Sequence, residues 1–133
     1  MKEVSRAIIT DEHGNVLLGK RARGVGAGLY ALVGGKLEEG ETPSEAVYRE
    51  VKEEIGLDFQ PTPSTPYLEI IEQSPDTADS WVAYYFVGIA TGELVLEPNE
   101  IEAIIYVSEN DLPEIEIAFH HAQRLFEYFQ SRR

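Results

Sequence analysis

The sequence predicts an α/β fold, an α/β/α sandwich in which a mixed β-sheet lies between helices. Three features of the 133-residue chain predict it: short apolar runs of strand length early on, one helical pattern with start and stop signals, and further strands before a closing amphipathic stretch. The order strands, helix, strands, helix argues for a mixed sheet rather than a regular βαβ repeat. The length matches a single domain over residues 1–133, with one core burying roughly two-thirds of the unfolded surface.

Val4 to Thr10 and Val16 to Lys20 are apolar runs separated by Asp11-Glu12-His13-Gly14-Asn15, a cluster of turn formers, so a hairpin is expected. Arg21 to Gly28 carries three glycines and two arginines and reads as a loop able to wrap an anion, followed by a short strand from Leu29 to Val33 that ends in Gly34-Gly35. From Pro43 to Ile55 the period becomes helical. Thr42 can cap, Pro43 suits the first turn, Glu45 completes a capping box and Gly56 ends the helix. Ala46 or Val47, Val51 and Ile55 supply its buried face. Asp58 to Pro66, with three prolines, reads as a linker, Tyr67 to Glu72 as a strand and Gln73 to Ser80 as a loop. Trp81 to Ala90 is apolar on both alternating faces, which marks a central strand covered on both sides. A weaker strand is expected at Glu93 to Leu96 and another strand at Ile101 to Val107. Ile115, Ala118 or Phe119, Ala122, Leu125 or Phe126 and Phe129 form the stripe of a C-terminal helix.

Eleven Lys+Arg against 24 Asp+Glu give a net charge of -13, which opposes binding of a nucleic acid polymer or an anionic membrane. With no cysteine there is no disulfide, thiolate nucleophile or Cys-type zinc site, and any metal must sit on oxygen or imidazole. No apolar run has signal-peptide or membrane-spanning length, so a cytoplasmic protein is expected.

The chemistry concentrates on the helix. Glu50, Glu53 and Glu54 stand at i, i+3 and i+4, so at 100° per residue they share an arc of about 100° and converge on one patch. Like charges this close raise one another's pKa and weaken the helix unless a cation neutralises them, and hard carboxylate oxygens suit Mg²⁺ or Mn²⁺. A solvated acidic face is the plainer alternative, with Arg49 and Lys52 as partners. Such a face requires neither the Gly-Gly turn nor the basic Gly-rich loop that precede it.

Gly35, Glu41, Arg49, Glu50, Val51, Glu53, Glu54, Gly56 and Leu57 occupy every defined position of the signature Gly, five residues, Glu, seven residues, Arg-Glu-aliphatic-any-Glu-Glu-any-Gly-aliphatic. In these residues the chain resembles the Nudix hydrolases, and a chance match of this kind is on the order of one in ten million from average residue frequencies. The resemblance implies the Nudix fold and hydrolysis of a nucleoside diphosphate linked to another group X, by water attack on phosphorus. It implies Glu50, Glu53 and Glu54 as metal ligands, a backbone carbonyl of the Gly34-Gly35 region, assigned to Gly35, as a further ligand, and Arg49 orienting a glutamate, with Glu41 the first choice. A glutamate outside the signature commonly joins as ligand or general base; Glu97 and Glu100 are the candidates, Glu97 preferred, and Glu54 is the candidate within it.

Leu17 to Arg21, Gly26 to Gly28, Gly34 to Glu38 and Glu97-Pro98 look like the MutT-like branch, which cleaves nucleoside triphosphates to monophosphate and pyrophosphate. Val33 departs from the proline that many relatives carry before the two glycines. Arg21 and Lys36 are expected to contact phosphates, with Arg23 a weaker candidate. Tyr30, Tyr84 and Phe86 are candidates for base recognition, each competing with a core role; His120-His121 is a weak candidate; Trp81 reads as core or dimer contact. Pro75 keeps an ADP-ribose or nucleotide-sugar pyrophosphatase as the alternative, and a non-catalytic binding module is disfavoured because the glutamates are retained. The partner expected is a small nucleotide, and the resemblance allows a homodimer that no residue pattern here specifies.

Overall fold

The structure is a computed structural model describing residues 1–133. Eight strands, two α-helices and one 3-10 turn follow in the order β1 (Lys2–Ile9), β2 (Val16–Arg21), β3 (Tyr30–Ala31), β4 (Val33–Lys36), α1 (Pro43–Ile55), β5 (Asp58–Pro61), β6 (Leu68–Gln73), β7 (Ser80–Thr91), β8 (Ile101–Val107), the 3-10 turn (Glu109–Glu114) and α2 (His121–Ser131). A five-stranded mixed sheet runs β4-β1-β7-β5, with β6 also on β7, and a second, antiparallel sheet runs β3-β2-β8. The five-stranded sheet is the mixed sheet expected between helices, and the three-stranded sheet stands beside it as an addition.

Alternation along β1 and β7 decides the layering. Val4, Ile8, Ala83 and Tyr85 join Leu18, Leu32, Leu125 and Tyr128 in one apolar cluster, beneath α2. Ala7, Ile9 and Phe86 join Val47, Val51, Ile55 and Phe59 in the other, beneath α1. Strand β7 is therefore covered on both faces, as its unbroken apolar run predicts, and it pairs with β1 in parallel and with β5 and β6 antiparallel. Helix α1 has the predicted bounds, with the Thr42–Glu45 capping box formed and Gly56 left-handed at its end. Val47, Val51 and Ile55 are fully buried, each burial stabilising by about 1.5–3 kcal/mol.

Five local expectations are overturned, the first four by a non-local partner. The predicted hairpin does not form: past one bridge between Thr10 and Val16, β1 pairs with β4 and β7, while β2 turns into the other sheet against β3 and β8. The expected strand at Leu29 to Val33 breaks at Leu32 into β3 and β4, one in each sheet. Asp58–Pro61, read as linker, is strand β5 because β7 offers it a free edge, whereas Glu93 to Leu96 forms no strand and instead packs against the end of α1 through the Val95 N–H to the Ile55 carbonyl (2.9 Å). Helix α2 begins only at His121, so Ile115 and Ala118 pack from the segment before it. No helix is long and apolar enough to cross a membrane.

His121, at the start of α2, is 2 % exposed, and its Nδ1 accepts the Leu32 backbone N–H at 3.0 Å. Burial, aided by nearby Arg6 and Arg21, holds its pKa well below the usual histidine value. The folded protein therefore resists a proton that the unfolded chain takes up below about pH 6.5, so this residue's contribution is intact above that value and lost as pH falls below it. In thermal unfolding, the Tm gap between wild type and His121→Asn, whose amide oxygen can still accept from Leu32, is expected to be constant above pH 7 and to narrow towards pH 5. A gap independent of pH would refute the buried, neutral assignment.

Candidate active site

The site is built where β4 meets α1. Strand β4 lies against β1 so closely that a Cβ on Gly34 would collide with the Ser5 carbonyl oxygen and come within 2.8 Å of the Arg6 Cα. At Gly35 a Cβ would stand 2.6 Å from the Glu50 carboxyl carbon, so the missing side chain is the space that the glutamate occupies. The approach of β1 thus requires glycine at position 34, while at position 35 any side chain would displace the Glu50 carboxylate.

Arg49 organises the acidic helix. Its Nε and Nη2 donate to both carboxylate oxygens of Glu41 (2.7 and 3.0 Å), Nη2 also to the Lys36 carbonyl (3.0 Å), and Nη1 to Glu50 (3.0 Å) and Glu53 (3.1 Å). Glu41 in turn accepts the Glu38 N–H. Glu54, 6 % exposed, lies apart from this network, and burial together with the Glu50 charge pushes its pKa up to about 8. Burial also raises Glu50, against the opposing pull of Arg49. The expected convergence of three carboxylates is therefore partial: Arg49 draws Glu50 and Glu53 towards itself, and no three acidic or histidine side chains gather in a ready-made cation cage.

These residues nevertheless fit a hard divalent cation. Glu50 and Glu54 are anionic oxygen donors held in low-dielectric surroundings, where the second charge is costly without a cation, and the bare Gly35 backbone lies directly against the Glu50 carboxylate. The loop after β7 completes the acidic side. The Glu97 N–H donates to the Glu54 carbonyl at 2.9 Å, and the Glu97 carboxylate accepts only the Asn99 N–H, whereas Glu100 is engaged by Arg23.

A cleft of about 1160 Å³ contains Glu50, Glu53, Glu54, Glu97 and Glu100 together with Gly34, Gly35, Lys36 and Arg21. Structure thus brings together the predicted site residues other than Arg49, which supports them from behind. It also adds residues that sequence reasoning missed. Arg6 extends from β1 to the Leu32 and Gly34 carbonyls (3.4 and 3.2 Å), while its buried Nε has no partner. Phe119 stands left-handed at φ 59° with Arg6 and Arg21 over its ring, at 5.2 and 4.9 Å. Glu72 and the loop from Ser74 to Asp79 close the α2 side together with Trp81, and His120 and His121, weak candidates from the sequence, line the cleft there as well.

An arginine at position 6 between inward-facing Val4 and Ile8, and a glutamate at 72 after Leu68 and Ile70, were visible breaks in alternation that mark a polar place on a strand face. The Phe119 backbone has no such signal. The base-recognition candidates are corrected: Phe86 is buried in the α1-side core, Tyr30 packs against the α2-side core, and the Tyr84 hydroxyl donates to Glu3 at 2.6 Å, none lining the cleft. Trp81, read as core or dimer contact, lines it.

The NUDIX domain family model matches residues 2–128. Over 126 residues the chain is 30% identical to an NAD-capped RNA hydrolase NudC of Stutzerimonas stutzeri, covering 95% of this chain and 44% of that protein. Over 97 residues it is 36% identical to the 8-oxo-dGDP phosphatase NUDT18 of Homo sapiens, covering 73% of this chain and 28% of that protein. The chain thus spans less than half the length of these curated relatives. Among solved structures, the MutT NUDIX hydrolase from Burkholderia pseudomallei superposes with a TM-score of 0.80 at 29% identity, covering 95% of each chain.

The raised pKa of Glu54 has a stability consequence in metal-free solution. A carboxyl shifted up from about 4.3 contributes its full stability below the unfolded value, and that contribution is lost as pH rises through about 8. Glu54→Gln is therefore expected to melt close to wild type at pH 5 and above it at pH 9 in chelator-containing buffer. Parallel Tm curves for the two proteins across this range would contradict the assignment.

Proposed function

The chain belongs to the NUDIX family, and from that premise we propose that it hydrolyses a nucleoside diphosphate linked to X, with nucleoside triphosphates as the leading substrates and monophosphate and pyrophosphate as products. One observation carries this reading: a single cleft presents a buried acidic patch on α1 beside cationic side chains that form no salt bridge. Of the eleven Lys and Arg residues, six form ion pairs, and four of the other five, Lys2, Arg6, Arg21 and Lys36, line the cleft. In a protein of net charge -13, cations left unpaired around one cavity suit a polyanionic ligand.

Glu50, Glu53, Glu54 and the Gly35 carbonyl are the groups proposed to hold Mg²⁺ or Mn²⁺. When bound, the ion supplies charge neutralisation of the diphosphate and acidification of the attacking water. Arg49 fixes Glu50 and Glu53 and anchors α1 to the β4–α1 loop through Glu41. Arg21 and Lys36 offer donors to phosphate oxygens. Water attacks one phosphorus as the bond to the leaving phosphate oxygen breaks, and a carboxylate takes the water's proton. Glu97 is the proposed acceptor, being tied only to the Asn99 N–H, with Glu54 as the alternative. Glu100 is less suited because Arg23 occupies it. The relatives' printed names, one for NAD-capped RNA and one for 8-oxo-dGDP, support a nucleotide as ligand without selecting its base. Pro75 lies on the cleft-lining loop, so the ADP-ribose or nucleotide-sugar reading is kept as the second arm of the test.

With Mg²⁺ and a panel of canonical and modified nucleoside triphosphates, ADP-ribose and nucleotide sugars, ion-exchange separation is expected to show monophosphate plus pyrophosphate. Selective cleavage of ADP-ribose or a sugar nucleotide would move the protein to the alternative, and no turnover of any member would overturn both. Glu53→Gln is expected to lower kcat/KM by ~100-fold or more through lost charge stabilisation.

Metal binding must displace the proton that Glu54 holds below about pH 8, so Mg²⁺ or Mn²⁺ affinity should rise from pH 6 to pH 8 with proton release. Calorimetry in buffers of different ionisation enthalpy measures that release, and Glu54→Gln should reduce it.

A further inference from the structure

The geometry points to Trp81 as a stacking platform for the planar heteroaromatic ring of the substrate, and to Glu72 as the residue that holds the platform in place. This rests on the nucleotide-hydrolase reading and adds the contact made by the part of the substrate remote from the scissile bond.

Trp81 sits near the start of β7, on the same face as Ala83 and Tyr85, and lines the cleft on the α2 side of the sheet. The reactive carboxylates come from α1 on the other side, so the two ends of the cleft are chemically distinct. The only polar atom of the indole is already committed, since its N–H donates to Glu72 Oε1 at 3.0 Å. What Trp81 can offer a ligand is therefore its π surface. The His120 ring lies 6.2 Å away at a tilt of 38°, with its Nε2 2.9 Å from the Gln73 carbonyl, and extends the same aromatic wall.

Glu72 is 4 % exposed and accepts three hydrogen bonds: the Trp81 indole on Oε1, and the Tyr85 hydroxyl (2.6 Å) and Arg124 Nε (2.9 Å) on Oε2. A buried ion pair is weak evidence of added stability, because apolar residues of similar volume commonly serve as well or better. Its distinctive effect is geometric. One carboxylate ties β6, β7 and α2 to the edge of a single indole, fixing a ring that would otherwise be free to turn about two side-chain torsions. A platform of this kind binds any planar ring through its face and does not read the hydrogen-bonding edge, so discrimination between bases must come from other walls of the cleft.

Trp81 is the only tryptophan in the chain, so tryptophan emission reports on the surroundings of this residue alone. A nucleoside triphosphate analogue carrying methylene in place of the α,β-bridging oxygen is titrated into the full chain, followed in parallel by emission and by calorimetry, with inorganic tripolyphosphate as the ring-free control. Saturable quenching by the nucleotide and none by tripolyphosphate is the expected result. Nucleotide binding seen by calorimetry without a change in emission, or equal quenching by both ligands, overturns the platform and leaves the hydrolase reading intact. Absence of binding together with absence of turnover overturns both.

In kinetics, Trp81→Ala and Glu72→Gln are each expected to raise KM by about tenfold, in the range of one lost base–aromatic stack, while kcat stays within about twofold. Trp81→Phe is expected to recover most of the KM. A loss confined to kcat, or no recovery with phenylalanine, overturns the assignment. If Glu72→Gln fails to fold, the two Trp81 variants decide the matter.

Discussion

The guanidinium of Arg49 is the interaction on which the rest of the site depends. Helix α1 carries Glu45, Glu50, Glu53 and Glu54 within ten residues of an already acidic chain, and such a helix repels itself. Arg49 offsets this with one planar group that binds Glu41 in a bidentate grip and reaches Glu50, Glu53 and the Lys36 carbonyl as well. Lysine has the charge but not the fork, and could not hold so many acceptors at fixed angles. Because Glu41 and Lys36 belong to the segment entering the helix, the same contact sets how α1 lies on β4, and Gly35 yields the space that this packing demands.

What was legible in the sequence was what is decided locally. The Thr42–Glu45 box, Pro43 and Gly56 delimit α1 to the residue because capping is satisfied within a few positions, and the two-sided apolar run of β7 could only be an interior strand. The glutamate signature was legible for the same reason, as a helical period written in adjacent residues. Pairing between distant segments was not. The turn at residues 11–15 looks like a hairpin connection, yet whether two strands leaving a turn stay together depends on β7 and β8, far along the chain. Trp81 had the composition of a core residue, and only the arrival of α2 and β6 makes it the wall of a cleft.

Arg6, Arg21, Lys2 and Lys36 form no salt bridge and stand in one cleft with Glu50, Glu53, Glu54 and Glu97, so both signs of charge meet there rather than a single one. Low-dielectric walls limit screening inside the cleft, whereas the acidic outer surface is screened by salt and repels anions at long range.

The parallel pairing of β1 with β7 has a consequence for how the chain is made. Residues 2–9 find their main partner only in residues 81–88. At ~5–20 residues per second of synthesis, the first strand waits on the order of 4–16 s for that partner to exist. Throughout that interval the edge of β1 that β7 covers, on a strand carrying Val4, Ala7, Ile8 and Ile9, all buried in the finished protein, stays unpaired. Synthesis is therefore a stage at which this acidic protein presents a strand edge to self-association, and its closely spaced negative charges oppose that association before the fold is complete.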